Sequence, residues 1–216
     1  MRVLARLLSL VLALFLIVLL LTVLYVKPAL KYSYNTTTSF NTTIGGEAGV
    51  VSELGEVPWV KLTVLVDNSP NPFNSELVDA WGLSILVETP FNVILFDAGP
   101  DPLVLQHNVE VLDKSLEKAS FIVISHEHGD HVRGLEYIAG VNGSITVYIP
   151  GHASQNTEEW IKSVGFKHVV RVYSTIKLSE GVAVVGELYG PPYEQALAVN
   201  VKGLGLVVLA GCSHPA

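Results

Sequence analysis

Three histidines and two acidic residues fall within the six positions from His126 to His131. Imidazole and carboxylate groups are ligands that zinc prefers, and dense clusters of them indicate metal binding. The cluster follows an apolar run, Phe121–Ile124, that predicts a buried strand. Because side chains alternate along a strand, His126 and His128 are expected on one face, as two ligands of a first metal. Asp130 and His131 are expected to serve a second metal about 3.5–4 Å away.

Composition limits the class of protein. Half of the 216 residues are hydrophobic, 15% are charged and the formal net charge is −7. A basic surface of the kind that binds nucleic acid is therefore not indicated, and no nucleic-acid partner is expected. The single cysteine, Cys212, excludes an internal disulfide framework. The length fits one domain plus an anchor.

The N-terminal part contains an uncharged apolar run, Leu7–Val26, that is long enough to span a bilayer as a helix. Two arginines precede it and two lysines follow it, so basic residues alone do not orient it. With no domain ahead of the run, we expect the N-terminus inside and the rest of the chain outside. Residues 1–30 are thus predicted to be an uncleaved membrane anchor, and a cleaved secretory signal is the alternative.

Residues 31–56 are rich in Thr, Ser, Asn and Gly, and they predict a solvated stalk between the membrane and the domain. The stalk holds two glycosylation sequons, at Asn35 and Asn41, and a third begins at Asn142 in a predicted turn. These sequons favour an extracytoplasmic glycoprotein.

Residues 57–216 change to short apolar runs separated by turn signals, which predicts one domain of mixed strands and helices. Trp81–Val87 and Asn92–Phe96 are expected to pair as a hairpin, and Asp101 is expected to cap a helix that begins at Pro102. A partly antiparallel α/β sandwich of layered sheets and helices fits this order. Strands are predicted at 59–66, 81–87, 92–96, 121–125, 145–149, 168–173, 182–188, 197–201 and 205–209, and helices at 103–112, 132–138 and 158–164.

Two motifs in this domain resemble those of the metallo-β-lactamase superfamily. They are Phe96-Asp97-Ala98-Gly99 after a predicted strand and His126-x-His128-x-Asp130-His131 after another. Three further segments are similar to one branch, the archaeal dihydropterin-linked ribofuranosyl-aminobenzene phosphate synthases: Trp81-Gly82-Leu83-Ser84, Gln106-His107-Asn108 and Gly211-Cys212-Ser213-His214-Pro215. The resemblance covers about residues 57–216 and implies an αββα sandwich with metal at the edge of two facing sheets.

The resemblance also implies roles for single residues. Asp130 would bind the second metal together with His131 and orient the attacking water, and Asp97 would brace the histidine loop through hydrogen bonds. His214 would complete a three-histidine shell with His126 and His128. Cys212 is a weaker candidate ligand, and a small buried hydrophobe is its alternative role. The other three histidines, His107, His152 and His168, are predicted not to bind metal.

The implied activity is that of a metal-dependent hydrolase with one or two Zn²⁺ ions, whose metal-bound hydroxide attacks a phosphoester or ester of a small molecule. Iron and manganese also use such ligands and remain alternatives. In the superfamily that this chain resembles, the fold normally continues beyond the segment that matches Gly211–Pro215, to a late histidine. We therefore expect a truncated C-terminal half with an exposed apolar edge and face. A membrane-anchored metal-binding module and an inactive fragment of a split gene are the alternatives to an enzyme.

Overall fold

A computed structural model of the protein describes residues 54–214, which form three layers. The predicted anchor, the Asn35 and Asn41 sequons and all but the last residues of the predicted stalk lie outside this range. Within residues 54–214, none of the helices is long and apolar enough to cross a membrane. The anchor, the extracytoplasmic location and glycosylation remain predictions.

The described range contains ten strands and four helices in mixed order. The strands are β1 (Lys61–Val66), β2 (Ser84–Glu88), β3 (Val93–Phe96), β4 (Phe121–Val123), β5 (Thr146–Pro150), β6 (His168–Val172), β7 (Ile176–Ser179), β8 (Val182–Leu188), β9 (Glu194–Val201) and β10 (Gly205–Leu209). The helices are α1 (Pro102–Val111), α2 (Gly129–Val132), α3 (Leu135–Asn142) and α4 (Gln155–Ser163).

The larger sheet has six strands in the order β1-β2-β3-β4-β5-β6. The first three are antiparallel, which confirms the predicted β2–β3 hairpin, and β3 to β6 run parallel. The central strand β4 is buried at all three residues, as expected for a parallel strand that is covered on both faces. The parallel strands bring their carboxyl ends to one edge of the sheet, and the loops that follow β3 and β4 meet there.

The smaller sheet is fully antiparallel, with the order β10-β9-β8-β7. One apolar cluster lies between the two sheets and includes Phe96, Val123, Val184 and Leu197. A second cluster lies between the larger sheet and the helices, all four of which contribute to it. On the outer face of the smaller sheet, Leu206 and Val208 are 54% and 56% exposed. The mixed α/β architecture was correctly predicted. Helix, six-stranded sheet and four-stranded sheet are the three layers that the described residues form.

The boundaries of several elements differ from the predictions for local reasons. Helix α1 begins at Pro102 as predicted, because Asp101 accepts hydrogen bonds from the amides of Leu103 and Val104. The single helix predicted at 132–138 is two helices, α2 and α3, since the Gly134 amide leaves the helical pattern and donates to the Gly99 carbonyl. Strand β7 was not predicted. It has only four residues and is paired through a tight turn to β8.

Candidate metal centre

The candidate site lies where three chain segments meet at the carboxyl edge of the larger sheet. Asp97 follows β3, the loop from Ser125 to His128 follows β4, and the segment from Gly211 to His214 follows β10. Strand β4 ends at Val123, so His126 and His128 belong to a loop and the expectation that strand alternation aligns them was wrong. The loop and the start of α2 bring the two rings together instead, because His128 is the residue before the first turn of that helix.

The structure places His126, His128 and His214 in one group, which we term the first donor group. One ring nitrogen from each residue lies within 4.8 Å of the others. The Nε2 atom of His126 is 3.2 Å from Nδ1 of His128. A zinc ion held at 2.0–2.1 Å by tetrahedral nitrogens needs ligand atoms about 3.3 Å apart. The donor set of three imidazoles therefore fits a zinc-sized cation.

Hydrogen bonds fix which nitrogen of two of these rings faces the group. The Ser125 hydroxyl donates to Oδ2 of Asp97 at 2.7 Å, so it accepts from Nδ1 of His126 at 2.9 Å. Nδ1 of His214 donates to Oε1 of Glu194 at 2.5 Å, and the His214 amide donates to the same oxygen at 2.8 Å. Each of these imidazoles keeps an unprotonated Nε2, which is the form that binds a metal.

A second set of candidate ligands adjoins the first, and we term His131, Cys212 and the neighbouring Asp130 the second donor group. Among the described residues, Asp130 lies outside both sets whose ligand atoms all converge within 4.8 Å. Nε2 of His131 lies 3.2 Å from Sγ of Cys212 and 3.4 Å from Oδ2 of Asp130. The ligand atoms of His131 and Cys212 also lie within 4.8 Å of one on His126, so the two groups share a border.

Asp97 links the two donor groups through hydrogen bonds to Ser125 and His131. Its carboxylate is fully buried and accepts hydrogen bonds from the Ser125 amide at 2.6 Å and from Nδ1 of His131 at 2.7 Å. Because Nδ1 of His131 is occupied in this way, its Nε2 faces Cys212. Asp97 itself has φ of 58°, a left-handed conformation that aspartate tolerates better than most residues.

Burial and neighbouring charges shift the pKa values of the candidate ligands in opposite directions in the two groups. Burial, helped by the charge of His131, lowers the pKa of His126 to about 4, so this ring is neutral at physiological pH. Burial alone would lower the pKa of His131 too, but the hydrogen bond and the negative charge of Asp97 outweigh it and raise that pKa. Partial desolvation, together with the negative charges of Asp130 and Glu194, raises the pKa of the Cys212 thiol. Cys212 is exposed, so its alternative role as a small buried hydrophobe was wrong.

The third segment can approach the histidine loop because it begins with glycine. A Cβ atom on Gly211 would lie 2.2 Å from Oγ of Ser125 and 3.1 Å from Nδ1 of His126. Beside this contact a cavity of about 240 Å³ is lined by Trp81, Asp130, His131 and Cys212, among others. Trp81 is largely exposed at its mouth. The second donor group therefore opens to a space of small-molecule size.

Sequence reasoning missed Ser125, Glu194 and Gln195. Glu194 is buried at the first position of β9 and is held by the amides of Ser213 and His214. Gln195 follows it, and its side chain donates to the carbonyl of Ile124. The available signal was a pair of polar residues directly before an apolar run. They were instead attributed to the loop ahead of a strand that was predicted to begin at Leu197.

The three histidines that were predicted not to bind metal lie outside both donor groups. His107 contacts the carbonyl of Glu76 through Nε2, and His168 is exposed on β6. His152 contacts Glu187. That they do not bind metal remains a prediction.

The family described as "Beta-lactamase superfamily domain" matches residues 92–189, a range that contains Asp97 and the whole cluster from His126 to His131. Over these residues the chain is similar to the metallo-β-lactamase superfamily, as its motifs indicated. The superfamily fold implies binding of a divalent metal, and the donor groups described above are the candidate ligands.

Individual relatives extend the match beyond this range. A 7,8-dihydropterin-6-methyl-4-(β-D-ribofuranosyl)-aminobenzene-5′-phosphate synthase of Methanocaldococcus jannaschii is 24% identical over 77% of this metallo-β-lactamase-like chain and 72% of its own length. The similarity to that synthase agrees with the branch that the sequence motifs indicated. A ribonuclease Z of Nanoarchaeum equitans is 28% identical over 56% of this chain and 40% of its own length.

A solved structure shows the same fold. A crystal structure of a metallo-β-lactamase homologue from Thermotoga maritima has a TM-score of 0.50 and 18% identity, and it covers 70% of this chain and 77% of its own. At this identity the likeness shows the fold alone.

Proposed function

We propose that this protein is a zinc-dependent hydrolase that cleaves a phosphoester or ester bond in a small molecule. The observation that carries the proposal is the first donor group, in which three imidazole nitrogens converge within 4.8 Å. Two of these rings, His126 and His214, are already held in the tautomer that a metal requires.

The two donor groups would each hold one zinc ion. His126, His128 and His214 would hold a first Zn²⁺, and Asp130, His131 and Cys212 would hold a second. When bound, zinc supplies a nucleophile at neutral pH and stabilises the negative charge that develops on the substrate. The carboxylate of Asp130 stands 3.4 Å from Nε2 of His131 at the wall of the cavity, where it can orient a water molecule and accept its proton.

Two observations support a small phosphorylated substrate. The cavity beside the second donor group has a volume of about 240 Å³, which is enough for the phosphorylated part of a small molecule. The Methanocaldococcus relative is named for a product that carries a 5′-phosphate. A phosphomonoester or phosphodiester of a small organic molecule is therefore the substrate class that we propose.

The test uses the full chain in mild detergent, freed of metal and then loaded with zinc. Zinc content is measured by plasma mass spectrometry, and turnover is measured with bis(4-nitrophenyl) phosphate and 4-nitrophenyl acetate. We expect one or two bound zinc ions and turnover that a chelator abolishes. His128→Ala and His214→Ala should reduce turnover to the level of the metal-free protein. His168→Ala is the matched control, because that histidine is exposed on β6 away from the donor groups.

Each outcome decides between the alternatives. Zinc binding without turnover of either ester would support a metal-binding module and would refute the hydrolase. A folded protein that retains no zinc, or full turnover in the His126→Ala/His128→Ala double variant, would refute the metal site itself.

A further inference from the structure

An exposed histidine ring is held rigidly at the same sheet edge as the metal centre. His152 follows Gly151 at the carboxyl end of β5, next to the loop that carries His126. The Glu187 carboxylate accepts the His152 amide at 2.6 Å and also contacts Nδ1 of the ring. The side chain of His152 is 59% exposed, whereas that of Glu187 is only 7% exposed. A buried carboxylate thus fixes the orientation of a ring that faces solvent.

Two tyrosine rings contact His152, and a third tyrosine contacts one of them. We term these four rings the ring patch: His152, Tyr173, Tyr189 and Tyr193. The His152 and Tyr193 rings are 4.9 Å apart and tilted by 33°, and Tyr173 meets His152 edge-on at 5.3 Å. Tyr189 lies 6.0 Å from Tyr193. Tyr173 and Tyr189 are 60% and 73% exposed. Four packed rings therefore present large apolar faces and edges to solvent.

Glycine and proline residues beside the ring patch restrict where its rings can lie. A Cβ atom on Gly151 would lie 2.3 Å from the Tyr173 ring, so only glycine allows that ring to lie against the strand end beside His152. Pro191 and Pro192 stand between Tyr189 and Tyr193 and restrict the backbone there. Rings that are ordered before a ligand arrives lose little conformational entropy when they bind it.

Two short chain connections join the ring patch to the first donor group. Tyr193 directly precedes Glu194, whose carboxylate holds His214. On the other side, the Ser154 amide donates to Glu127 at 2.8 Å, and Glu127 directly precedes His128. The ring patch is therefore connected to the residues next to His128 and His214, whereas Trp81 lines the cavity beside Cys212.

We propose that the ring patch is a substrate subsite that binds a planar aromatic or heteroaromatic ring. The inference rests on the proposed function in one respect, because the bound ring is taken to be part of the molecule that the metal centre cleaves. Aromatic rings attract one another in offset and edge-on arrangements, and the patch offers both. Among the described residues, Nε2 of His152 has no hydrogen-bond partner, so it is available to a polar atom of the ligand ring.

The test measures binding directly and needs no turnover. The full chain in detergent is titrated into 2-aminopurine, a fluorescent two-ring heterocycle, with and without a chelator, and ribose 5-phosphate serves as the ligand without an aromatic ring. We expect saturable quenching whose Kd is weakened about tenfold by Tyr189→Ala and by His152→Ala, in the range found when stacking residues are removed. Binding of ribose 5-phosphate, measured by calorimetry, should not respond to either change.

Phe91→Ala is the matched control. It also removes an exposed aromatic ring, but Phe91 lies in the β2–β3 turn at the opposite edge of the larger sheet. Absence of saturable quenching by the unaltered protein, or a Kd that stays within twofold in both patch variants, would overturn the proposal. Because the titration also runs on metal-free protein, failure of hydrolysis and failure of ring binding are read separately.

Discussion

The buried carboxylate of Asp97 provides the sharpest test of how the metal centre is prepared. It accepts hydrogen bonds from the amide and hydroxyl of Ser125 at 2.6 and 2.7 Å and from Nδ1 of His131 at 2.7 Å. Asp97→Asn preserves the shape of the side chain but exchanges one acceptor oxygen for an NH₂ group. A donor would then face the Nδ1–H of His131, so we expect this ring to shift its proton to Nε2, the atom beside Cys212.

The magnitude follows from the loss of a ligand atom in its binding form. Removing the hydrogen-bond partner of a metal-binding histidine typically costs 10–100-fold in metal affinity, which is about 1.4–2.7 kcal/mol. We expect this loss at the second donor group, measured by competition with a chelating dye, and a smaller loss at the first, because the Ser125 hydroxyl that donates to Asp97 also contacts Nδ1 of His126. The shift of the His131 proton should be visible in ¹⁵N spectra of the ring.

Asp101→Asn is the matched control for Asp97→Asn. Asp101 caps α1 by accepting from the amides of Leu103 and Val104, and asparagine caps a helix about equally well. This control should therefore bind zinc as the unaltered protein does. If Asp97→Asn binds zinc at both groups within twofold of the unaltered protein, the argument that Asp97 sets the His131 tautomer is refuted.

Three further substitutions test the surrounding structure. Gly211→Ala should weaken zinc binding at the first donor group about tenfold because its methyl group collides with the histidine loop; Gly140→Ala, which meets no atom within 4 Å, should leave the dye competition unchanged. Asn108→Leu should lower the free energy of unfolding in urea by about 2–3 kcal/mol, since it strands backbone groups that the buried amide now satisfies; an unchanged midpoint would contradict this. The Lys114 ammonium beside Glu88 holds the pKa of that carboxyl below its usual range. The ion pair therefore stabilises the folded protein above the ordinary glutamate pKa, and this stabilisation is lost as the pH falls through the depressed pKa. Lys114→Met should therefore cost about 0.5–1 kcal/mol of unfolding free energy at pH 7, and this cost should shrink as the pH falls through the depressed pKa of Glu88.

Elements with local signals were predictable from sequence. Helix α1 carries its own start signal in Asp101 and Pro102, and the β2–β3 hairpin carries its turn between two apolar runs. Strand β7 carries no such signal, because four residues from Ile176 to Ser179 form a strand only through pairing with β8. Tertiary pairing, which a single segment does not encode, decides such cases.

The same distinction applies to the candidate site. The sequence pattern indicated which histidines would converge, but for His126 and His128 the physical reason was wrong, since a loop and not a strand brings them together. Ser125 and Glu194 were missed because their importance comes from contacts with residues distant in sequence. Glu194 reaches His214, twenty positions later, and the Ser125 amide reaches Asp97, twenty-eight positions earlier.

The two donor groups differ in how strongly protons compete with a metal for their ligand atoms. At neutral pH the first group offers a neutral His126, whose pKa is lowered to about 4, and a His214 already oriented by Glu194. At the second group, Asp97 raises the pKa of His131, and partial desolvation together with nearby carboxylates raises that of Cys212, so protons compete with a metal there up to a higher pH than at the first group. Metal binding that displaces protons weakens as the pH falls. The protein thus prepares the first group in advance and leaves the second dependent on pH.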